Sequence, residues 1–181
     1  MRLRPATPED VPQVQAIYAH HVLTGLGTFE EVPPGAAEMA GRCAAVLDRG
    51  LPWLVAEADG EVLGYAYAGP FRTRAAYRFT VEDSVYVAEA ARGRGIGKAL
   101  LAAVIAECEA MGLRQMVGVI GDSGNAASIA LHKACGFELT AIVPAVGWKF
   151  GRWVDVVWMQ RALGPGASTP PDAPGIGGMG P

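Results

Sequence analysis

Glu82-Asp83-Ser84-Val85-Tyr86-Val87, continued four residues later by Arg92-Gly93-Arg94-Gly95-Ile96-Gly97-Lys98, is the stretch on which the reading of this chain turns. Apolar and polar residues alternate in its first half, the pattern of a strand with one face buried. The second half is a basic, glycine-rich turn. From Lys98 to Met111 apolar residues recur at helical spacing. A strand, a glycine turn and a helix N-terminus together form an anion cradle, because backbone N–H groups and the helix dipole point at the same place. The expected ligand is a phosphorylated small molecule, with the carboxylate of Glu82 a few residues upstream.

Three phosphate-loop patterns compete for the turn. A Walker-type loop requires G-x-x-x-x-G-K and then Ser or Thr. Gly93 and Gly97 are one residue too close, and Ala99 stands where the magnesium-binding hydroxyl would be. The dinucleotide fingerprint is G-x-G-x-x-G, whereas the spacing here is G-x-G-x-G. The third pattern, R-x-x-G-x-G, is filled by Arg92, Gly95 and Gly97. A second segment, Asn125 to Phe137, reads as a helix capped by Asn125 and ended by a left-handed Gly136. Asn125, Ser128 and His132 are spaced i, i+3, i+7 and share one face of it.

These two segments resemble the coenzyme A motifs of the GCN5-related N-acetyltransferases (GNAT). Asn125, Ser128, Gly136 and Phe137 match N-x-x-S-x-x-x-Y-x-x-x-G-F, with His132 in place of the tyrosine. Pro52–Glu57, Gly64–Ala66, Thr80–Val87 and Lys149–Asp155 are similar to one subfamily, the phosphinothricin and methionine sulfoximine/sulfone acetyltransferases, and the likeness runs over residues 2–163. The resemblance implies an α/β fold of the α+β kind: a mixed, mostly antiparallel twisted sheet with helices on both faces. It implies acetyl-coenzyme A as cosubstrate and acetyl transfer to the α-amino group of a small amino acid.

It also implies residue roles. Val85, Tyr86 and Val87 would pair with the pantetheine arm. Arg92, Gly93, Arg94, Gly95, Ile96, Gly97 and Lys98 would hold the pyrophosphate, with Asn125 and Ser128 beside it. Glu82 is the candidate general base; its plainer alternatives are a solvated strand carboxylate or a partner for Arg78. Asp83 points to the other strand face and is the weaker candidate. His132 is the second catalytic candidate, as a proton donor to the leaving thiolate or an oxyanion donor; the alternative is a buried helix histidine bonded to a carbonyl. For the acceptor, Arg74, Ala75, Ala76, Tyr77 and Arg78 lie in the loop before the Glu82 strand. Arg72 belongs to the same basic loop and ranks behind Tyr77 and Arg78. Phe29 would cover the aliphatic chain, and Lys149 would come from a neighbouring subunit. A homodimer is expected from the resemblance and from Trp148, Trp153 and Trp158, too many aromatics for one exposed edge strand.

Two rival functions remain open at this stage. One is acetylation of another small amine, such as a polyamine, or of a protein N-terminus; a polyamine would want an acidic pocket, and the 72–78 loop is basic. The other is a non-catalytic acyl-coenzyme A binding module, favoured if Glu82 is tied into an ion pair facing away from the cofactor.

Composition sets the remaining bounds. The 181 residues suffice for one domain with a sizeable core. The net charge of −3 gives no reason to expect nucleic acid. No apolar run reaches the roughly 18 residues of a membrane span, and Met1-Arg2-Leu3-Arg4-Pro5 has no apolar signal-type core. A cytoplasmic protein is expected, with no membrane partner. Cys43, Cys108 and Cys135 form no metal or redox spacing and read as buried free thiols. His20 and His21 read as helix-end residues, and no metal is expected. Residues 1–163 form the expected domain. Residues 164–181, almost all Gly, Pro, Ala and Ser, are expected to be a disordered tail, dispensable for fold and activity.

Overall fold

The computed structural model describes residues 1–177. A seven-stranded sheet is built from β1 (Arg2–Pro5), β2 (Trp53–Ala58), β3 (Glu61–Pro70), β4 (Thr80–Val87), β5 (Gln115–Gly121), β6 (Glu138–Lys149) and β7 (Arg152–Ala162). Its order is β1-β2-β3-β4-β5-β7-β6. Every neighbouring pair is antiparallel except β4–β5. Four helices complete the fold: α1 (Val11–Thr24), α2 (Ala36–Leu47), α3 (Ile96–Ala110) and α4 (Ala126–Ala134). The fold class agrees with the sequence reading.

Strand alternation decides which residues face which helices. On one face Trp53, Tyr65, Tyr67 and Tyr86 stack in a row, and Tyr18 of α1 meets Tyr86 edge-on at 5.0 Å. On the other face α3 buries Leu100, Leu101, Val104 and Cys108 completely. Gly64 is the close approach there: a Cβ would come 2.8 Å from the Tyr86 carbonyl oxygen. The three cysteines are buried and free.

Local chemistry explains the element boundaries. Asp59 and Gly60 both take positive φ, 54° and 83°, as the two-residue hairpin between β2 and β3 requires. Before α1, Pro8–Asp10 form a separate 3-10 turn with Thr7 at its N-cap. Asp10 holds it by accepting from the Thr7 backbone at 2.8 Å and from both Arg4 guanidinium nitrogens at 2.7 Å. β6 runs from Glu138 to Lys149 through an irregularity. Pro144 and Ala145 (φ 54°) interrupt the ladder, but pairing resumes at Gly147↔Val154. A bulge looks like a strand end in sequence; cross-strand pairing carries the chain through it.

The C-terminal segment, expected to be a disordered tail, makes contacts with the domain as far as Ile176. The Arg114 side chain is 6% exposed and donates to the carbonyls of Gly166 (3.1 Å) and Pro170 (2.8 Å) and to Thr169 Oγ1 (3.1 Å). Ile176 is buried in the main core. Composition counts the apolar area a segment carries, and here one buried arginine satisfies backbone carbonyls instead. Residues 178–181 lie outside the described residues.

Candidate active site

β4 and β5 pair in parallel only from Thr80↔Gln115 to Asp83↔Gly118. β4 continues to Val87 on the β3 side alone. The two strands therefore part at Asp83, and the β4 edge from Ser84 onward has no sheet partner on that side. A cleft of about 540 Å³ opens at this fork. It is lined by Val85, Tyr86, Val87, Arg92, Gly93, Gly95, Ile96, Gly97, Lys98, Asn125, Ser128 and His132, all expected there, and by His21, Asp83 and Ser84, which were not. Arg94 is exposed and does not line it.

The cradle is built as the motif requires. Gly95 sits at φ 77° and Gly93 at φ 74°, a left-handed conformation that disfavours other residues. No side chain caps the N-terminus of α3, and its first turn holds no acid. Its leading N–H groups face the cleft with Arg92 and Lys98 around them. An extended strand edge offering amides, next to a bare basic helix N-terminus, fits the pantetheine and pyrophosphate of acetyl-coenzyme A. At the far wall Asn125 Oδ1 accepts from the Ser128 N–H at 3.2 Å and caps α4. Gly136 (φ 83°) ends that helix, as its sequence indicated.

His132 and Asp83 form a pair at the base of the fork. His132 Nδ1 donates to the Ser128 carbonyl at 2.7 Å, and His132 Nε2 lies 3.0 Å from Asp83 Oδ2. Both side chains are almost fully buried. A carbonyl only accepts, so Nδ1 carries a proton. Burial works against the charged imidazolium, but Asp83, by hydrogen bond and charge, and the Ser128 carbonyl outweigh it and raise the His132 pKa. Both ring nitrogens are occupied, so donation to a thiolate would break one of these bonds. Among the described residues, Asp83 Oδ1 is buried without a hydrogen-bond partner. Gly118 makes the space: a Cβ there would lie 2.8 Å from His132 Cδ2.

Glu82 points to the opposite face, that of Tyr86 and α1. It is half-buried and makes no ion pair among the described residues. Burial raises its carboxyl pKa, the Arg72 charge lowers it, and Asp83 adds a smaller upward push; the net is upward. A carboxylate poised this way is a competent base near neutral pH. Arg72 lies over the rings of Phe71 (4.5 Å) and Trp158 (5.8 Å). Trp158 opposes Val119 in β5, which places it on the Glu82 face. The sequence reading places Arg72 behind Tyr77 and Arg78 and gives Trp158 no site role. Neither Phe71–Trp158 contact nor Arg72's reach toward Glu82 has a local signature.

The other acceptor-side residues divide. Ala75–Tyr77 form a 3-10 turn, and Tyr77 packs on Phe71 at 5.5 Å. Arg78 turns back, donating to the Ala75 carbonyl at 3.1 Å. Arg74, Ala75 and Ala76 are exposed. Phe29 lies against Gly121 and Gly147; a Cβ on Gly147 would come 2.3 Å from its ring. Lys149, expected to come from a neighbouring subunit, has its partners here within its own chain. Its side chain is buried in its own chain and donates to the carbonyls of Gly25 (2.9 Å) and Thr28 (2.8 Å). Lys149 holds the loop that carries Phe29, and burial lowers its pKa.

Comparison with known proteins supplies the class. The acetyltransferase (GNAT) family model matches residues 15–137. The chain is 56% identical to a phosphinothricin N-acetyltransferase of Alcaligenes faecalis, covering 94% of this chain and 86% of the relative. It is 45% identical to an L-methionine sulfoximine/L-methionine sulfone acetyltransferase of Pseudomonas paraeruginosa, over 93% of this chain and 98% of that one. A crystal structure of a GNAT superfamily phosphinothricin acetyltransferase from Sinorhizobium meliloti, in complex with AcCoA, superposes with a TM-score of 0.91. That protein is 50% identical, and the match covers 94% of this chain and 92% of the other. This chain belongs to the GNAT family. It is an acetyl-coenzyme A-dependent N-acetyltransferase. No described helix is long and apolar enough to cross a membrane.

Proposed function

We propose that this enzyme moves the acetyl group of acetyl-coenzyme A to the α-amino group of a small amino acid of the phosphinothricin or methionine sulfoximine/sulfone type, in the cytoplasm. One observation carries the reading. A half-buried carboxyl with a raised pKa, Glu82, stands at the fork where the donor cleft ends, with the arginine-bearing 71–78 loop on its own face. Acetyl-coenzyme A supplies the activated thioester. Glu82 takes the proton that an ammonium must lose before its nitrogen can attack. Arg72 and its loop give a carboxylate and a phosphinyl or sulfone oxygen a cationic surround, which a polyamine would be repelled by. The absence of a Glu82 ion pair among the described residues also disfavours a mere binding module.

We place the homodimer contact on β6 and the β6–β7 turn. Leu139, Ile142, Val146 and Trp148 on β6, the last strand of the sheet, Phe150 in the turn and Trp153 at the start of β7 are all more than half exposed. That apolar density exceeds what a monomer surface carries.

A coupled thiol-release assay tests the substrate. Phosphinothricin, methionine sulfoximine and methionine sulfone are expected to release coenzyme A in an enzyme-dependent way; spermidine and an N-terminal peptide are not. Turnover of spermidine or the peptide above all three amino acids would overturn the assignment.

A further inference from the structure

The segment that composition marks as dispensable touches the acceptor side of the site. Its root is latched by Arg114. The Arg114 guanidinium gathers carbonyls of Gly166 and Pro170 and the Thr169 hydroxyl, and lies 3.6 Å from Asp172. The same residue's backbone N–H donates to the Phe79 carbonyl at 2.9 Å. Arg114 therefore ties this segment to the residue that enters β4. The tip then reaches the arginine loop itself. The Ile176 N–H donates to the Arg78 carbonyl at 2.8 Å, and the Ile176 side chain is 6% exposed. Gly175 has φ +75°, and a Cβ on it would lie 2.7 Å from that same Arg78 oxygen. Ile176 and Gly177 share a small pocket wall with Arg72, Arg74 and Arg78.

We propose that residues 164–177 are a strap that sets the 71–79 loop, with Gly175 and Ile176 as positioning residues for the acceptor. The physical reason is the loop's own poverty of anchors. Residues 72–78 are exposed, and their internal bonds are a single 3-10 turn and the Arg78–Ala75 contact. The strap adds a main-chain hydrogen bond at Arg78 and a buried aliphatic side chain beneath it. A loop held this way presents its guanidinium groups in one arrangement, so less ordering entropy is lost when an acceptor carboxylate binds. The donor cleft, built on β4, α3 and α4, does not touch the strap. The proposal rests on the reading of this loop as the acceptor site.

The test uses two full-length variants, Ile176→Ala and Arg114→Lys. The first removes the tip's anchor. The second keeps a cation but loses the planar fork that collects the carbonyls. Amide exchange across residues 71–79 is expected to quicken in both. The KM for the amino-acid acceptor should rise by roughly three- to tenfold, about what one hydrogen bond is worth. The KM for acetyl-coenzyme A and kcat should stay near the parent's. Unchanged exchange in 71–79 of folded Ile176→Ala would overturn the strap. So would equal rises in both KM values with a falling kcat, which indicate general loosening. Quickened exchange with an unchanged acceptor KM would uphold the strap's grip on the loop and instead overturn the loop's acceptor role.

Discussion

The two halves of this active site are made of different material. The donor half is mostly backbone: the open edge of β4 from Ser84 to Val87, the left-handed glycines 93 and 95, and the uncapped N-terminus of α3. The proposed acceptor half is mostly side chains that come from separated parts of the chain: Phe29 after α1, Arg72 and Tyr77 before β4, Glu82 within it, Trp158 on β7. Backbone groups suit what all donors share, a pyrophosphate and an amide chain. Side chains can be exchanged singly, so on the proposed reading this is where substrate choice would reside. The fork at Asp83 joins the halves. Adjacent residues Glu82 and Asp83 look into opposite faces there, one toward the acceptor and one toward the buried His132.

The comparison breaks most visibly at Glu82, since one carboxylate is asked to do the proton transfer. Glu82→Gln keeps the shape and removes the base. A loss of roughly 10² to 10⁴ in kcat is expected, with acetyl-coenzyme A affinity unchanged. In the parent, activity should climb as pH passes through the Glu82 pKa, which burial has raised above the ordinary carboxylate range. The Gln variant should lose that limb. Its defect should shrink at alkaline pH, where more acceptor amine is already neutral. A Gln variant that keeps more than about a tenth of the parent rate, outside the range base removal implies, would move the base elsewhere, and Asp83 with its unpartnered oxygen is the next candidate.

On the donor half the sharpest probe is Gly95→Asp. There is open space around a Cβ at this position, so the fold is not crowded by it. The cost comes from the φ of 77° and from a carboxylate set beside the bound phosphates. Left-handed strain of about 1 kcal/mol or more, with charge repulsion added, predicts at least roughly a tenfold rise in acetyl-coenzyme A KM. The acceptor KM should hardly move. Titration calorimetry with coenzyme A checks the binding directly; equal affinity in a folded variant would mean that the turn does not hold the phosphates.

The same division explains what could be read in the sequence. A backbone cradle needs glycine at fixed spacings, so Gly93, Gly95 and Gly97 were legible, and the Asn125–Gly136 helix with them. The alternation in Thr80–Val87 was enough to send Glu82 and Asp83 to different faces. What Asp83 meets on its face was not legible. His132 is on another helix, and the gap it fills exists because position 118 is glycine. The partners of Lys149 within its own chain were not legible for a similar reason. A conspicuous cation near a turn reads as a reaching residue, and only the fold shows that the carbonyls of Gly25 and Thr28 consume it. The contacts of the C-terminal segment were not legible in its composition. Its stability comes from one distant guanidinium and one isoleucine, Arg114 and Ile176, and averages over 18 residues cannot register either.

The smallest expected effect is also the one that ties Arg72 to Glu82. Arg72 is exposed and sits over Phe71 and Trp158, so its charge reaches Glu82 partly through solvent. It is nevertheless the one influence that lowers the Glu82 pKa, against burial and Asp83. Arg72→Gln removes that influence and leaves the other two. The Glu82 pKa must then rise. Because the ionised form is the active base, the acid limb of the kcat/KM profile should move to higher pH, with a modest loss of rate at neutral pH. If Arg72 only tunes Glu82, the alkaline plateau stays at the parent level. If it also grips the acceptor, the plateau falls and the acceptor KM rises with it, so one profile separates the roles. Salt gives an internal control. Screening an exposed guanidinium weakens its hold, so raising ionic strength should shift the parent's limb upward and leave the Gln variant's limb nearly still. A limb that stays in place after Arg72→Gln, at low salt, would mean that the titrating group is not Glu82.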